Sequence, residues 1–247
     1  MIKPSLTVIM LTYNEIKSLR LSYNILMNAL KKAGISDYEI IIATTVSPSG
    51  FDDGSSDLAC QIAKENSRVR RSHSETYQGM APDFHEALKM ANKDYVTMVP
   101  GSNVFGEDSL ASVFSYLGTA EGIIAHTINL RVRPFLVRWV SRFFVLLCNI
   151  LFILRIKYYN GIFIFPTKFM RAVPISAKGG EYAAEIVIYL VKSGMKYIQV
   201  PQVINPLLEP GRTFSMRNVK AAFKTLVFLF WKIHFKRERI NLSILRS

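Results

Sequence analysis

The sequence predicts an α/β fold, a mostly parallel sheet with helices on both faces. Two observations carry this. Over the first hundred residues, short apolar runs alternate with longer amphipathic ones, the order expected when each strand is followed by a covering helix. The chain has 247 residues, half of them apolar, which is enough for one such domain with a large core and an appendage.

The elements follow in order. Residues 6–11 read as a strand, 16–33 as a helix and 38–46 as a strand. Residues 58–66 read as a second helix, 69–73 as a short strand, 83–91 as a third helix and 95–99 as another strand. No internal repeat or low-complexity linker interrupts them. Beyond residue 130 the texture changes. Residues 134–156 are apolar yet carry Arg138, Arg142 and Arg155, and the uncharged stretch 143–154 is shorter than the roughly 20 residues of a spanning helix. Residues 218–236 place Lys220, Lys224, Lys232 and Lys236 at multiples of four, with Phe223, Leu226, Leu229, Phe230 and Trp231 on the other sides. Two such elements read as interfacial amphipathic helices, although helices packed on the domain would share the pattern.

Charge supports that division. Residues 1–130 carry 11 Lys/Arg against 14 Asp/Glu, whereas residues 131–247 carry 20 against 4, so the whole +13 excess lies in the second half. Interleaved with aromatics, and with a mean hydropathy of +0.20, these cations point to an anionic membrane surface. Nucleic acid is disfavoured, because no recognition motif accompanies the charge. Cys60 and Cys148 sit in no pairing motif, which fits a reducing compartment. Met1-Ile-Lys-Pro leads directly into a strand, so no secretory signal is expected.

The most informative stretch runs from Leu6 into Thr12-Tyr13-Asn14-Glu15. It sets a hydroxyl, an aromatic face and a carboxylate at the C-terminal edge of the sheet, where ligands bind in open α/β folds. Asn14 also reads as a helix N-cap, but capping calls for neither Tyr nor Glu. Downstream, Asp52-Asp53-Gly54-Ser55-Ser56-Asp57 offers further carboxylates and hydroxyls, with Ser56 or Asp57 expected to cap the next helix. No zinc spacing, Ser/His/Asp arrangement or P-loop is present.

Together the two motifs resemble the nucleotide-binding half of an inverting family 2 glycosyltransferase with the GT-A, Rossmann-like fold. The similarity is greatest to the dolichol- or polyprenyl-phosphate sugar transferases, and it runs from Leu6 to about Lys236. It implies a GT-A domain over 1–205, an interfacial insertion at 131–157, and an acceptor loop with a basic amphipathic helix over 206–247. It implies transfer of a sugar from a nucleotide sugar to a polyprenyl phosphate, with inversion, at the cytoplasmic face of a membrane. Pairing between copies through the interfacial helices is compatible with this. A binding protein that has lost turnover, or a transferase using a polysaccharide acceptor, stays open beside it.

By the same resemblance Thr12, Tyr13, Glu15, Asp53 and Ser55 would hold the nucleotide. Eight residues, 44–51, separate Ile40-Ile-Ile-Ala43 from the acidic turn, so Thr44, Thr45 or Ser47 would alternatively do the strand-end work. Gln78-Gly79-Met80-Ala81 resembles the family's glycine loop. Relatives end the fourth strand in Asp-x-Asp, which holds Mg²⁺ or Mn²⁺ against the donor diphosphate. This chain has Gly101-Ser102-Asn103, leaving Ser102 and Asn103 at the catalytic position and Asn103 as a weak metal ligand, with Glu107 or Asp108 as carboxylates that would have to swing in. Arg131 and Arg138, with Arg133 as alternate, match the arginines expected to meet phosphates in this family. Tyr159-Asn160-Gly161 matches the acceptor-side turn. Glu185 is expected to hold an arginine or lysine in place. Arg212, supported by Arg217 and Lys220, would bind the acceptor phosphate.

Overall fold

The structure, a computed structural model, describes residues 3–206, 216–236 and 238–242; within the last helix, side chains are described from residue 222. In chain order the elements are β1 (Leu6–Thr12), α1 (Ile16–Lys32), β2 (Tyr38–Thr45), α2 (Ser55–Glu65), β3 (Val69–Ser74), α3 (Met80–Met90), β4 (Tyr95–Pro100), α4 (Glu107–Ser115) and β5 (Gly122–Thr127). A 3-10 turn (Leu130–Val132) leads into α5 (Phe135–Phe152), β6 (Phe163–Pro166), α6 (Thr167–Arg171), α7 (Tyr182–Lys192), β7 (Tyr197–Gln202) and α8 (Met216–His234).

The seven strands form one sheet in the order β3-β2-β1-β4-β6-β5-β7. All pairings are parallel except those of β6, which runs antiparallel to β4 and β5. The C-terminal ends of β1, β2 and β4 therefore meet along one edge, with Thr12 level with Thr44 and Leu11 with Pro100.

Alternation along the strands divides the core into two layers. Val8, Met10, Ile40 and Ile42 face α1, α2 and α4, while Ile9, Ile41 and Ala43 face α3 and α7. Both layers are fully buried, which is why these strands read as unbroken apolar runs. At the opposite edge, Glu39 accepts from Thr7 Oγ1 (2.7 Å) and the Asn92 N–H, and pairs with Arg70 (2.6 Å), so a buried carboxylate there is fully answered.

α5 and α8 lie against the α7 layer. Cys148 and Phe152 of α5, and Leu226, Leu229 and Ile233 of α8, enter that core, and Phe152 meets Phe230 across the two helices. Among the described residues α5 is the one helix long and apolar enough to cross a membrane by length and composition. One of its flanks is nevertheless spent on the domain.

α7 answers a question that the sequence poses at Glu185. The carboxylate is buried and, among the described residues, holds neither arginine nor lysine, contrary to expectation. It accepts from the N–H and hydroxyl of Ser176 and from the N–H of Ala177, at 2.5–3.1 Å, and so ties down the loop that precedes α7. Deleting it strands buried donors. Glu185→Ala is therefore expected to cost about 3 kcal/mol in urea denaturation, and a loss below about 1 kcal/mol would refute this role.

Candidate functional site

The site is built where the strand ends meet. β1 delivers Thr12, buried, and then Tyr13, whose ring is 39% exposed. Asn14 takes a left-handed conformation (φ 52°) that turns the chain into α1, so it cannot act as the helix N-cap. Glu15 occupies that position without a capping bond from its own side chain.

The caps come from some 40 residues away. Asp53 Oδ2 accepts the Ile16 N–H at 3.0 Å, and Ser55 Oγ accepts the Glu15 N–H at 2.9 Å. Asp53 Oδ1 takes the N–H and hydroxyl of Ser55 at the start of α2. One carboxylate thus caps two helix N-termini, where negative charge is favoured. Partial burial pushes its pKa up, but the bonds from Ser55 and Ile16 outweigh that and hold it below the usual aspartate range. α2 starts at Ser55, with Gly54 (φ 93°) at its N-cap rather than Ser56 or Asp57.

The extra residues before the acidic turn form a compact loop closed on Ser47, whose backbone N–H donates to Phe51 O and whose hydroxyl accepts the Phe51 N–H. This returns Asp53 to the hook. Thr44 and Thr45 end β2, and Thr44 Oγ1 lies 2.9 Å from His73 Nδ1. Thr44 and Thr45 thus stand at the strand end, while the acidic turn is held against the hook by its bonds to Glu15 and Ile16.

At the end of β4 the backbone turns on Gly101. An ideal Cβ there would lie 2.7 Å from Thr12 Oγ1 and 3.2 Å from Leu11 O, so a larger residue would force the two strand ends to shift. Ser18 and Ser22 of α1 donate to Gly101 O (3.1 and 2.8 Å), and Ser22 Oγ also accepts the Asn103 N–H at 2.8 Å. Asn103 is left-handed (φ 52°), and its Oδ1 is enclosed by protein without a hydrogen-bond partner. Asp108 is bound to Lys32 at 2.5 Å with a side chain 87% exposed, and Glu107 opens α4. Among the described residues no three Asp, Glu, His or Cys side chains gather as for a metal. The turn does not fit a divalent ion held by protein carboxylates.

On the other flank, Arg131 is exposed in the 3-10 turn, Arg133 is half-buried, and Arg138 lies over the Phe135 ring at 5.6 Å. A cavity of about 220 Å³ opens beside them, lined by Leu130, Ser141, Arg142, Leu146, Lys157 and Tyr158. Arg212 lies outside the described residues, as do the side chains of Arg217 and Lys220.

Sequence reasoning missed four contributors. Ser18 and Ser22 sit four apart beside the buried Leu19, and polar residues on an apolar helix face were the available signal. Tyr77, 44% exposed, meets the Tyr13 ring at 5.4 Å, a contact without local signature. Asp83, buried in the first turn of α3, has a pKa raised by burial, with Ser74 and His73 opposing, and its Oδ1 has no partner.

The Asp53 cap carries a pH signature. Its folded pKa lies below the unfolded value near 3.9, so its stabilisation is complete at neutral pH and fades as pH falls through that range. Asp53→Asn should lower stability by about 1–2 kcal/mol at pH 7, with the gap to wild type narrowing toward pH 3. A gap of constant size in urea titrations at the two pH values would contradict this. Ser22→Ala, which frees Gly101 O and the Asn103 N–H, should lose about 1–3 kcal/mol and loosen the turn, read as faster amide exchange at Asn103.

The model of the glycosyl transferase family 2 matches residues 7–177. No curated protein matches. Among solved structures, glucosyl-3-phosphoglycerate synthase from Mycobacterium tuberculosis, in complex with Mn²⁺, UDP and phosphoglyceric acid, aligns with a TM-score of 0.60 at 11% identity, covering 93% of this chain and 78% of that one. The same enzyme with Mg²⁺ and UDP aligns at 0.61 and 11%, covering 93% and 79%. Mannosyl-3-phosphoglycerate synthase from Rubrobacter xylanophilus aligns at 0.66 and 11%, covering 92% and 72%. At such identities the likeness is one of fold, the GT-A arrangement of sheet and helices. With the family match spanning most of the chain, the protein belongs to glycosyl transferase family 2.

Proposed function

We propose that this glycosyltransferase moves a sugar from a nucleotide sugar to a polyprenyl phosphate at a membrane surface. The observation that carries the acceptor side is the cavity next to α5. It combines two cations, Arg142 and Lys157, with an apolar wall that includes Leu146, itself exposed on the outer face of the helix. A lipid phosphate needs that pairing of charge and hydrocarbon.

The outer faces of α5 and α8 extend the argument. Phe135, Trp139, Phe143, Leu146, Ile150 and Ile153 are all exposed, at spacings of three and four that place them on one face. On α8, Phe223, Val227, Trp231 and Phe235 repeat every four residues, with Lys236 over the Trp231 ring at 4.4 Å. Such stripes are costly in water and favourable in a headgroup layer, where the cations meet anionic lipid. Since α5 has one flank on the domain and Arg138 and Arg142 within it, we read it as lying in the interface rather than spanning.

In the reaction, a phosphate oxygen of the acceptor attacks the anomeric carbon as the bond to the nucleoside diphosphate breaks, and the configuration inverts. The acceptor is already anionic at neutral pH, so no general base is required. Tyr13, Glu15 and the Asp53–Ser55 turn position the nucleotide, while Arg131 and Arg138 meet the departing diphosphate charge. A Mg²⁺ or Mn²⁺ ion would find no carboxylate at Gly101-Ser102-Asn103 and would take its oxygens from the diphosphate and water. That same lack of carboxylates favours a second reading, a nucleotide-sugar binding protein without turnover.

Purified protein in anionic vesicles, given polyprenyl phosphate and labelled nucleotide sugars, tests the reading. Formation of a lipid-linked sugar supports it, whereas donor binding with no transfer to lipid supports the second. Arg138→Ala is expected to lower kcat/KM about 100-fold, by removing a charge-assisted contact worth about 3 kcal/mol. Ser102→Asp supplies the missing carboxylate and should make transfer respond more strongly to Mn²⁺; an unchanged metal response would show that the turn is not beside the diphosphate.

A further inference from the structure

We propose that Tyr77 forms, with Tyr13, an aromatic wall on which the donor's nucleobase stacks, above the hydroxyl-lined end of β2. The proposal rests on reading the chain as a nucleotide-sugar enzyme and adds a residue and a place for the base. The strand order supplies the geometry. β2 lies between β3 and β1, so the two outer strands are separated by about 10 Å, twice the strand spacing. Tyr13 follows β1 and Tyr77 follows β3, yet their rings approach to 5.4 Å at a tilt of 50°. The pair therefore bridges the end of β2.

Both rings are held there from below rather than buried. Tyr13 stands between buried Thr12 and left-handed Asn14, on a hook pinned by Asp53 and Ser55. Tyr77 stands two residues before Gly79, which has φ 106° and is so close to the Lys178 carbonyl that a Cβ would lie 2.2 Å from it. The Ala81 N–H donates to that same carbonyl. Anchored loops thus present two half-exposed phenol rings at the ligand-binding edge, an arrangement that gains no core burial. A planar ring laid against them would recover that apolar area.

Beneath the pair, β2 ends in Thr44 and Thr45. Thr45 Oγ1 is enclosed without a partner, and Thr44 Oγ1 is shared with His73. Both residues are buried, so the end of β2 closes the floor and the ring faces carry the contact to the base.

Calorimetry with UDP, GDP, CDP and ADP, and with inorganic pyrophosphate as a base-free probe, tests this. Tyr77→Ala should weaken the best-bound nucleotide roughly 5- to 100-fold while leaving pyrophosphate binding unchanged. Tyr77→Phe, which keeps the ring, should stay within about threefold of wild type. Unfolding midpoints matching wild type would show that the exposed substitution spares the fold. If Tyr77→Ala binds nucleotide as wild type does, the wall is overturned and the donor reading stands. Equal weakening toward pyrophosphate would also overturn it, by showing a displaced loop instead. A wild-type protein that binds no nucleoside diphosphate would overturn the donor reading, and the wall with it.

Discussion

The Asp53 carboxylate is the constraint on which the site depends. It answers the open N-termini of two helices at once, and those helices follow β1 and β2, whose ends carry the hook and the threonine hydroxyls. Without it, the Ile16 N–H in the first turn of α1 would lose its acceptor, since Glu15 and left-handed Asn14 contribute no side-chain cap. The hook that presents Tyr13 would then lose its fixed direction. A single ionised group therefore converts a chemical requirement of helices into the geometry of a binding edge.

α1, fixed at its start by Asp53, in turn fixes β4. Ser18 and Ser22 lie one and two turns into that helix and grip the Gly101 carbonyl and the Asn103 N–H. On the other side, Glu185 holds the Ser176–Ala177 backbone, and the next residue, Lys178, offers its carbonyl against Gly79 ahead of α3. Buried polar contacts rather than apolar packing thus aim each loop of the edge. Such contacts are directional, whereas packing alone would tolerate shifts.

This explains what was legible in the sequence. Strands buried on both faces appear as apolar runs, so β1, β2 and β4 are placed to within about a residue. Helix starts are read less well. α2 begins three residues before the expected Leu58, through the polar turn Ser55-Ser56-Asp57, and α3 three before Asp83, through Met80-Ala81-Pro82; each follows a positive-φ glycine rather than a side-chain cap. The antiparallel insertion of β6 between β4 and β5 has no local mark, since strand pairing is a long-range choice. In the candidate site, the hook and the acidic turn carry their side chains in adjacent letters and are legible as motifs. The contacts of Ser22 with Gly101 and of Tyr77 with Tyr13 join residues more than sixty positions apart and leave no local mark.

Charge connects the two halves of the chain. A pair of carboxylates and a divalent cation sum to zero, and so does a neutral Gly-Ser-Asn turn with neither. The substitution therefore leaves the net charge near the diphosphate unchanged while removing its concentrated positive focus. The first 130 residues, net negative, cannot replace that focus. The second half supplies it on the proposed reading, from the arginines of the 3-10 turn after β5 and the start of α5. On the proposed reading, the helix that lies on lipid also carries the charge that the leaving group requires. Docking and transfer would then share one element: a protein lifted from the membrane would lose the placement of Arg138 along with its acceptor.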